Sequence, residues 1–279
     1  MFNKDHWIGI IILLGIISIA LFGGVKNANN TFISSPNTVS GQNETSLGQT
    51  TTENKNSFSQ YQGLVTLGYI NKSTDPGNEY LTIRVGSNLK TPVLVTGWTL
   101  QSRSSGASVT IPKGIYLFFT RIPNAEENIY LEAGDTLYLV TGISPNGASF
   151  KINKCSGYLG QFQTFIPYIN NNCPMPKDEN LSEIPGSVNN DACFDYIDSF
   201  PRCRIQTESL PINWSYECTK FIYDKINYPS CVDVHKNDKD FYEHQWRVYL
   251  KRSDHLWKDK RENIVLLDNS GKVVDTLKY

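Results

Sequence analysis

All six cysteines of the 279-residue chain lie between positions 155 and 231. None of them forms the C-x-x-C pair that binds zinc or exchanges thiols, so their spacing favours structural disulfides. Disulfides persist in oxidising compartments, and the pattern therefore predicts a cross-linked region outside the cytosol. Six cysteines allow 15 pairings, and the spacing does not choose among them. The residues concerned are Cys155, Cys173, Cys193, Cys203, Cys218 and Cys231.

The N-terminal segment 1–25 contains an uncharged apolar run at positions 7–25. A helix of that length rises about 30 Å, which is enough to span a bilayer. We expect a single-pass transmembrane anchor with the cysteine-rich part of the chain outside; a cleaved signal peptide is the alternative. Positions 26–60 are rich in Asn, Thr, Ser, Gln and Gly, and this composition predicts a flexible polar linker.

The remaining segment, 61–279, has a composition typical of β structure. The whole chain is 12% aromatic, with 15 tyrosines and only 2 methionines, and aromatic side chains favour strands. Turn signals separate short apolar segments. The chain is predicted to be mainly β, with strands at 63–70, 79–85, 93–101, 108–111, 115–119, 129–131, 135–140, 149–153, 246–250, 264–267 and 272–277.

Several motifs in this segment resemble the lamin tail domain family. The string NEYLTI at 78–83 is followed by TGWTL at 96–100, and LEAGD lies at 131–135. The chain ends in LLDNSGKVVDTLKY at 266–279, which is similar to the terminal hairpin of that family. The residues that carry the resemblance, together with one strand tryptophan, are Glu79, Tyr80, Gly97, Trp98, Leu100, Gly134, Asp135, Trp246, Asp268, Gly271 and Asp275.

The resemblance implies an immunoglobulin-like β-sandwich at 61–154 and 244–279, of the kind found in membrane-anchored bacterial proteins. A cysteine-rich insertion at about 155–243 interrupts it. Seven prolines disfavour long strands in that insertion, so we expect loops and short helices. One helix is predicted at 214–223 with Asn213 as its N-cap, and a second at 191–199.

The segment 241–261 mixes aromatic and cationic side chains. Alternation along a strand predicts that Trp246, Val248 and Leu250 face the core, while Arg247, Tyr249 and Lys251 face solvent. The alternative is a contact surface where this strand meets the insertion, formed by Tyr242, Arg247, Tyr249 and Trp257.

Catalytic and metal-binding patterns are weak in this chain. The histidines at 235, 244 and 255 do not have the spacing of a zinc site, and we expect no metal or cofactor. The carboxylates of Asp178, Glu179 and Asp240 could serve glycoside hydrolysis if they faced each other across a cleft. The formal net charge of −1 does not favour nucleic-acid binding.

Two classes of function follow from these observations. The resemblance implies a non-catalytic binding or structural module, displayed from the membrane, whose insertion contacts an envelope polymer or a protein partner. The alternative is a cell-envelope hydrolase with a carboxylate site between the insertion and the sandwich. Convergence of acidic side chains in one cleft would separate the two.

Overall fold

The computed structural model describes residues 57–120, 122–186 and 190–279. The predicted anchor at 1–25 and most of the predicted linker at 26–60 lie outside these residues. Among the residues described, no helix combines the length and the apolar character needed to cross a bilayer.

The strands form three sheets. A five-stranded sheet has the order β1-β2-β7-β9-β8, a four-stranded sheet has the order β11-β10-β4-β5, and β3 pairs with β6. Neighbours are antiparallel except for β7 and β9, which are parallel. The strands are β1 (Val65–Asn71), β2 (Tyr80–Val85), β3 (Val93–Leu94), β4 (Thr99–Ser102), β5 (Ser108–Thr110), β6 (Tyr130–Leu131), β7 (Thr136–Val140), β8 (Phe150–Asn153), β9 (Tyr242–Tyr249), β10 (Asn263–Leu267) and β11 (Val273–Lys278).

The two larger sheets share one apolar core. Leu81 and Ile83 of the five-stranded sheet belong to the same buried cluster as Leu100 and Ile264 of the four-stranded sheet. Trp246 is completely buried in this cluster. Burying a side chain of this kind stabilises the fold by about 1.5–3 kcal/mol, so the core is the main stabilising feature here. The prediction of a mainly β chain is confirmed, and the arrangement is compatible with a β-sandwich. We call this part, without residues 154–241, the two-sheet body.

Buried carboxylates tie the loops of the two-sheet body to its strands. Glu79 accepts hydrogen bonds from the Thr141 hydroxyl at 2.7 Å and from the Leu256 backbone N–H at 2.9 Å. The half-buried Asp275 of β11 accepts one from the Leu67 N–H of β1 at 2.6 Å, and this bond joins an edge strand of one sheet to an edge strand of the other. A buried carboxylate is tolerated because its hydrogen bonds replace those of water.

The predicted hairpin near the C-terminus is present between β10 and β11. The Asp268 carboxylate accepts hydrogen bonds from the backbone N–H groups of Ser270 and Lys272, and Gly271 supplies the positive φ of 73° that closes the turn. The single strand predicted at 93–101 is wrong. It is two strands, because the backbone turns at Gly97, whose φ is +90°.

In its described residues the insertion contains three short α-helices: α1 (Asp191–Ser199), α2 (Tyr216–Lys225) and α3 (Tyr228–His235). The sequence predicts α1 correctly. The helix predicted at 214–223 begins later, because the Ser215 hydroxyl, not Asn213, accepts from the Cys218 N–H and caps it. The third helix, α3, is not among the predicted elements.

Three disulfides cross-link the insertion, as predicted. They join Cys155 to Cys231, Cys173 to Cys203, and Cys193 to Cys218. The last of these bridges links α1 to α2, while the first links the end of β8 to α3. Three disulfides in one chain are typical of an oxidising compartment outside the cytosol.

The insertion does not stand apart from the two-sheet body. Its buried cysteines share one apolar cluster with Val140, Phe150 and Tyr249, which belong to three neighbouring strands of the five-stranded sheet. The insertion therefore covers part of the face of that sheet that points away from the two-sheet core. We call this face the outer face.

Candidate functional site

The insertion divides the outer face into a covered half and a bare half. Alternation along β9 points Arg247 and Tyr249 away from the two-sheet core, as predicted, but they are only 3% and 2% exposed. The prediction that they face solvent is therefore wrong, because the insertion packs over them. Nearer β1, the outward side chains of Tyr69, Tyr80 and Arg84 are partly or largely exposed, while Thr82 between them is buried.

The bare half carries a row of three tyrosines from adjacent strands, which we call the tyrosine row. Tyr69 lies on β1, Tyr80 on β2 and Tyr138 on β7. The ring centroids of Tyr69 and Tyr80 are 6.0 Å apart, and those of Tyr80 and Tyr138 are 5.8 Å apart. Tyr69 is 58% exposed, while the other two are half-buried. The ring planes are inclined by 57° and 62° to each other, so the row is a series of tilted rings in contact across three strands.

The tyrosine row depends on an irregularity in β1. The pairing of β1 with β2 shifts register between Leu67 and Ile70. Strict alternation from the buried Val65 and Leu67 would direct Tyr69 into the core, but the shift lets it face outward while Ile70 packs inward. Of the three tyrosines, Tyr80 belongs to a family motif, and no sequence pattern pointed to Tyr69 or Tyr138. An apolar Ile70 directly after Tyr69 is the signal that could have indicated the shift.

Arg247 ends the row on the side of the insertion. Its guanidinium carbon lies 4.1 Å from the centroid of the Tyr138 ring, a cation–π contact. Its Nη2 donates to the Tyr168 carbonyl at 3.4 Å, but its Nε and Nη1 have no hydrogen-bond partner. No carboxylate of the described residues lies within ion-pair distance of it. Burial lowers the pKa of Arg247, yet an arginine stays protonated in proteins, so a positive charge without an anion lies beneath the row.

The four residues of the predicted contact surface do not share one exposed patch. Trp257 is buried in the core of the two-sheet body, and Arg247 and Tyr249 are buried under the insertion. Tyr242 is the exposed member, at 38%. The strand does meet the insertion, as that alternative supposed, but this contact is internal to the fold.

The carboxylates proposed for hydrolysis belong to a chain of polar contacts. Glu179 bonds to the Nε2 atom of His235 at 2.9 Å, and the Nδ1 atom of that ring contacts Asp238 at 2.8 Å. Lys154 then bridges Asp238 at 3.0 Å and Asp240 at 2.7 Å. Glu179 and Asp240 are therefore each paired with a basic group. Asp178 lies in the single helical turn just before Glu179.

The other two histidines of the described residues also pair with carboxylates, each with a different one. His244 contacts the buried Asp135 at 2.7 Å, and His255 contacts Glu79 at 3.2 Å. Over residues 57–120, 122–186 and 190–279, no group of three or more His, Cys, Asp or Glu side chains is placed to hold a metal ion.

The insertion has a recess of its own, of about 420 Å³. Its wall includes the exposed ring of Phe162, the ring of Tyr223 and the amide side chains of Gln163, Gln206 and Asn227. This recess is the part of the insertion that best fits the predicted contact with a ligand. It competes with the tyrosine row as the binding face of the domain.

Comparison with known families and proteins adds no relative to this description. The chain matches no family model, and no curated protein matches it.

Proposed function

We propose that this chain is a non-catalytic binding module, held outside the cytosol by its N-terminal anchor, that binds an envelope polysaccharide on the tyrosine row. The observation that carries the proposal is the row itself, in which three rings follow one another across three strands at 5.8–6.0 Å. The C–H face of a sugar ring is apolar and flat, and it packs against an aromatic face while its hydroxyls stay in water. Three successive tyrosine rings can therefore contact successive sugar units of one polysaccharide.

The surroundings of the row support a polar ligand. The outer face beside the rings carries Arg84 and Gln245, which can hydrogen-bond to hydroxyl groups. The insertion rises at one end of the row, where Arg247 contacts Tyr138. A polymer lying along the row would meet this wall, and the disulfides keep the wall in place.

We also propose that the two-sheet body is an immunoglobulin-like sandwich of the lamin-tail kind, with the insertion between β8 and β9. The positions of the motif residues support this relation. Trp98 and Leu100 lie in the shared core, Glu79 and Asp275 bond to backbone N–H groups, and Gly271 closes the final hairpin. The proposed relation agrees with a binding role, since the resemblance implies an interaction domain.

The test is co-sedimentation of the full-length chain, in detergent, with insoluble polysaccharides from cell envelopes. Tyr69→Ala removes the most exposed ring of the row, and we expect it to weaken binding about 2–10-fold. Tyr69→Phe keeps the ring and should bind nearly as well as the unchanged chain. Tyr216→Ala removes a ring from α2 that is 71% exposed, against 58% for Tyr69, and serves as the matched control.

Three outcomes would overturn this assignment. Equal losses for Tyr69→Ala and Tyr216→Ala would show that the row has no special role. Retention that depends on Phe162 would move the site to the insertion recess. Release of soluble sugar fragments during the incubation would favour the envelope hydrolase instead.

A further inference from the structure

A cleft of about 470 Å³ lies at the end of the five-stranded sheet, where the insertion meets it. Asn78 and Val140 line it from the two-sheet body, and Thr164 lines it from the insertion. Tyr249 at the end of β9 and Arg252, three residues further along the chain, also line the cleft. The volume is within the range of sites for small molecules.

Two hydrogen-bond donors in this wall have no partner. The hydroxyl of Tyr249 is buried and unpaired, and so is the Nε of Arg252. Burial also raises the pKa of Tyr249 to about 12, so its hydroxyl remains a donor at neutral pH. Buried polar groups are usually paired, and an unpaired donor is costly to keep. Two such groups in one cleft indicate that a ligand with acceptor atoms forms hydrogen bonds with them.

The fold holds both donors in place. Tyr249 is the last residue of β9, and its N–H donates to the Ser149 hydroxyl at 2.9 Å. The Arg252 N–H donates to the Thr141 carbonyl at 2.9 Å, which fixes the backbone that carries the guanidinium. The site is thus built on strand ends rather than on a free loop.

Charge in the cleft favours an anion. Arg252 has no carboxylate within ion-pair distance in the described parts of the chain, and Arg247, two residues before Tyr249 on the same face, has none either. Asp75 also lines the cleft, but its carboxylate accepts from the Gly77 N–H at 2.8 Å and from the Asn78 amide at 3.3 Å. Asp75 keeps its charge but lies beyond ion-pair distance of Arg252. The cleft therefore offers two unpaired donors and one guanidinium that has no ion-pair partner, a combination that suits a carboxylate.

The cleft borders the tyrosine row. Val140 is paired with Tyr80 on one side and with Tyr249 on the other. Neighbouring strands are about 4.8 Å apart, so Tyr80 and Tyr249 are separated by about 10 Å across the outer face. A sugar ring held at Tyr80 could thus place a substituent of the next ring in the cleft.

We propose that the cleft binds the carboxylate of a uronic acid unit, so that the ligand of the row is an acidic polysaccharide and not a neutral one. The carboxylate oxygens accept from the Tyr249 hydroxyl and the Arg252 guanidinium. This inference rests on the proposed function, because it takes the polymer to lie on the tyrosine row. Its test must therefore separate acid recognition from sugar binding in general.

The experiment measures the affinity of the full-length chain in detergent for oligogalacturonate and for the same oligomer with its carboxyls methyl-esterified. We expect the acidic form to bind at least about 10-fold more tightly. Tyr249→Phe removes one hydroxyl, and Arg252→Gln removes one charge. Each should lower the preference for the acid about 3–10-fold and leave binding of the ester unchanged.

Matched controls come from positions away from the cleft. Tyr130→Phe removes a hydroxyl from an exposed ring, and Arg103→Gln removes a charge from an exposed turn. Neither should alter the preference for the acid. Tyr249→Phe should also leave the melting temperature unchanged or raise it, because the hydroxyl it removes is unpaired.

The outcomes distinguish the two proposals. Equal affinity for acid and ester, with both still dependent on Tyr69, would overturn the carboxylate site and leave the sugar-binding row standing. A marked fall in the melting temperature of Tyr249→Phe would show that the hydroxyl has a structural partner such as a water molecule, and would also overturn it. Binding of neither oligomer would overturn the carboxylate site, while the proposed function would stand or fall on the co-sedimentation with envelope polysaccharides.

Discussion

The two-sheet body and the insertion are stabilised in different ways. In the body, side chains from both large sheets fill one core, and completely buried residues such as Trp246 and Leu100 account for most of its stability. In the insertion, short helices pack around three disulfides, and its core is completed by residues of the sheet beneath it. The body therefore has a core of its own, while the insertion depends on covalent links and on the body.

Reduction of the disulfides should have the largest effect, because it should destabilise the insertion far more than the two-sheet body. The Cys155–Cys231 bridge spans a sequence separation of 76 and, in the loop-entropy account, contributes about 4 kcal/mol. We expect dithiothreitol to open the insertion while the amides of β2 and β7 stay protected. Hydrogen exchange followed by mass spectrometry measures both regions in one sample. Simultaneous loss of protection in the sheet and in α2 would show that the two-sheet body also depends on the disulfides.

A buried carboxylate of the body offers a second, smaller test. Glu79→Gln keeps the shape of the side chain but removes the charge that accepts from Thr141 and Leu256, and we expect a loss of about 1.5–3 kcal/mol in the free energy of unfolding. Glu132→Gln, at an exposed position, should change it by less than about 0.5 kcal/mol. Urea denaturation of both variants gives the comparison. Equal changes in the free energy of unfolding would show that the hydrogen bonds of Glu79 do not stabilise the body.

The smallest expected effect concerns pH and the insertion. Burial lowers the pKa of His235, but hydrogen bonds to Glu179 and Asp238 outweigh it, so the pKa is raised overall. The contribution of His235 is therefore fully present below its unfolded-state pKa of about 6.5 and is lost as the pH rises through the raised folded-state pKa. We expect the insertion to unfold about 2 °C lower at pH 9 than at pH 6 for this reason.

The control for this pH effect is His235→Gln, which removes the titrating ring. The difference between pH 6 and pH 9 should shrink in that variant, as followed by near-ultraviolet circular dichroism during heating. The hydrogen bond from His235 also lowers the pKa of Asp238. The stability that the Asp238 carboxylate contributes is therefore lost as the pH falls through its folded-state pKa. An unchanged pH difference in His235→Gln would show that other groups cause it.

Local patterns in the sequence predict much of the body and part of the insertion. The final hairpin follows from a turn that contains Asp268 and Gly271, and α1 begins and ends where the sequence indicates. The start of α3 also had a local signal, since Asn227 caps it and Pro229 follows. The prolines of the insertion indicate loops in general, whereas this local pair indicates the start of a helix.

The candidate site could not be predicted in the same way, because it depends on contacts between distant segments. Alternation correctly turns Arg247 and Tyr249 away from the two-sheet core, but only the packing of the insertion shows that they are buried. Tyr69 joins the row through a register shift that strict alternation does not contain. The row itself combines residues from β1, β2 and β7, and no spacing along the chain reveals that they are neighbours.

The most direct test of the central claim is to locate the bound polysaccharide on the full-length chain. Hydrogen exchange is measured with and without saturating oligosaccharide, and the protected peptides are compared between the two regions. Our account predicts new protection in β1, β2 and β7 around Tyr69, Tyr80 and Tyr138, with little change in α2. Protection confined to the insertion recess around Phe162 and Tyr223 would contradict it.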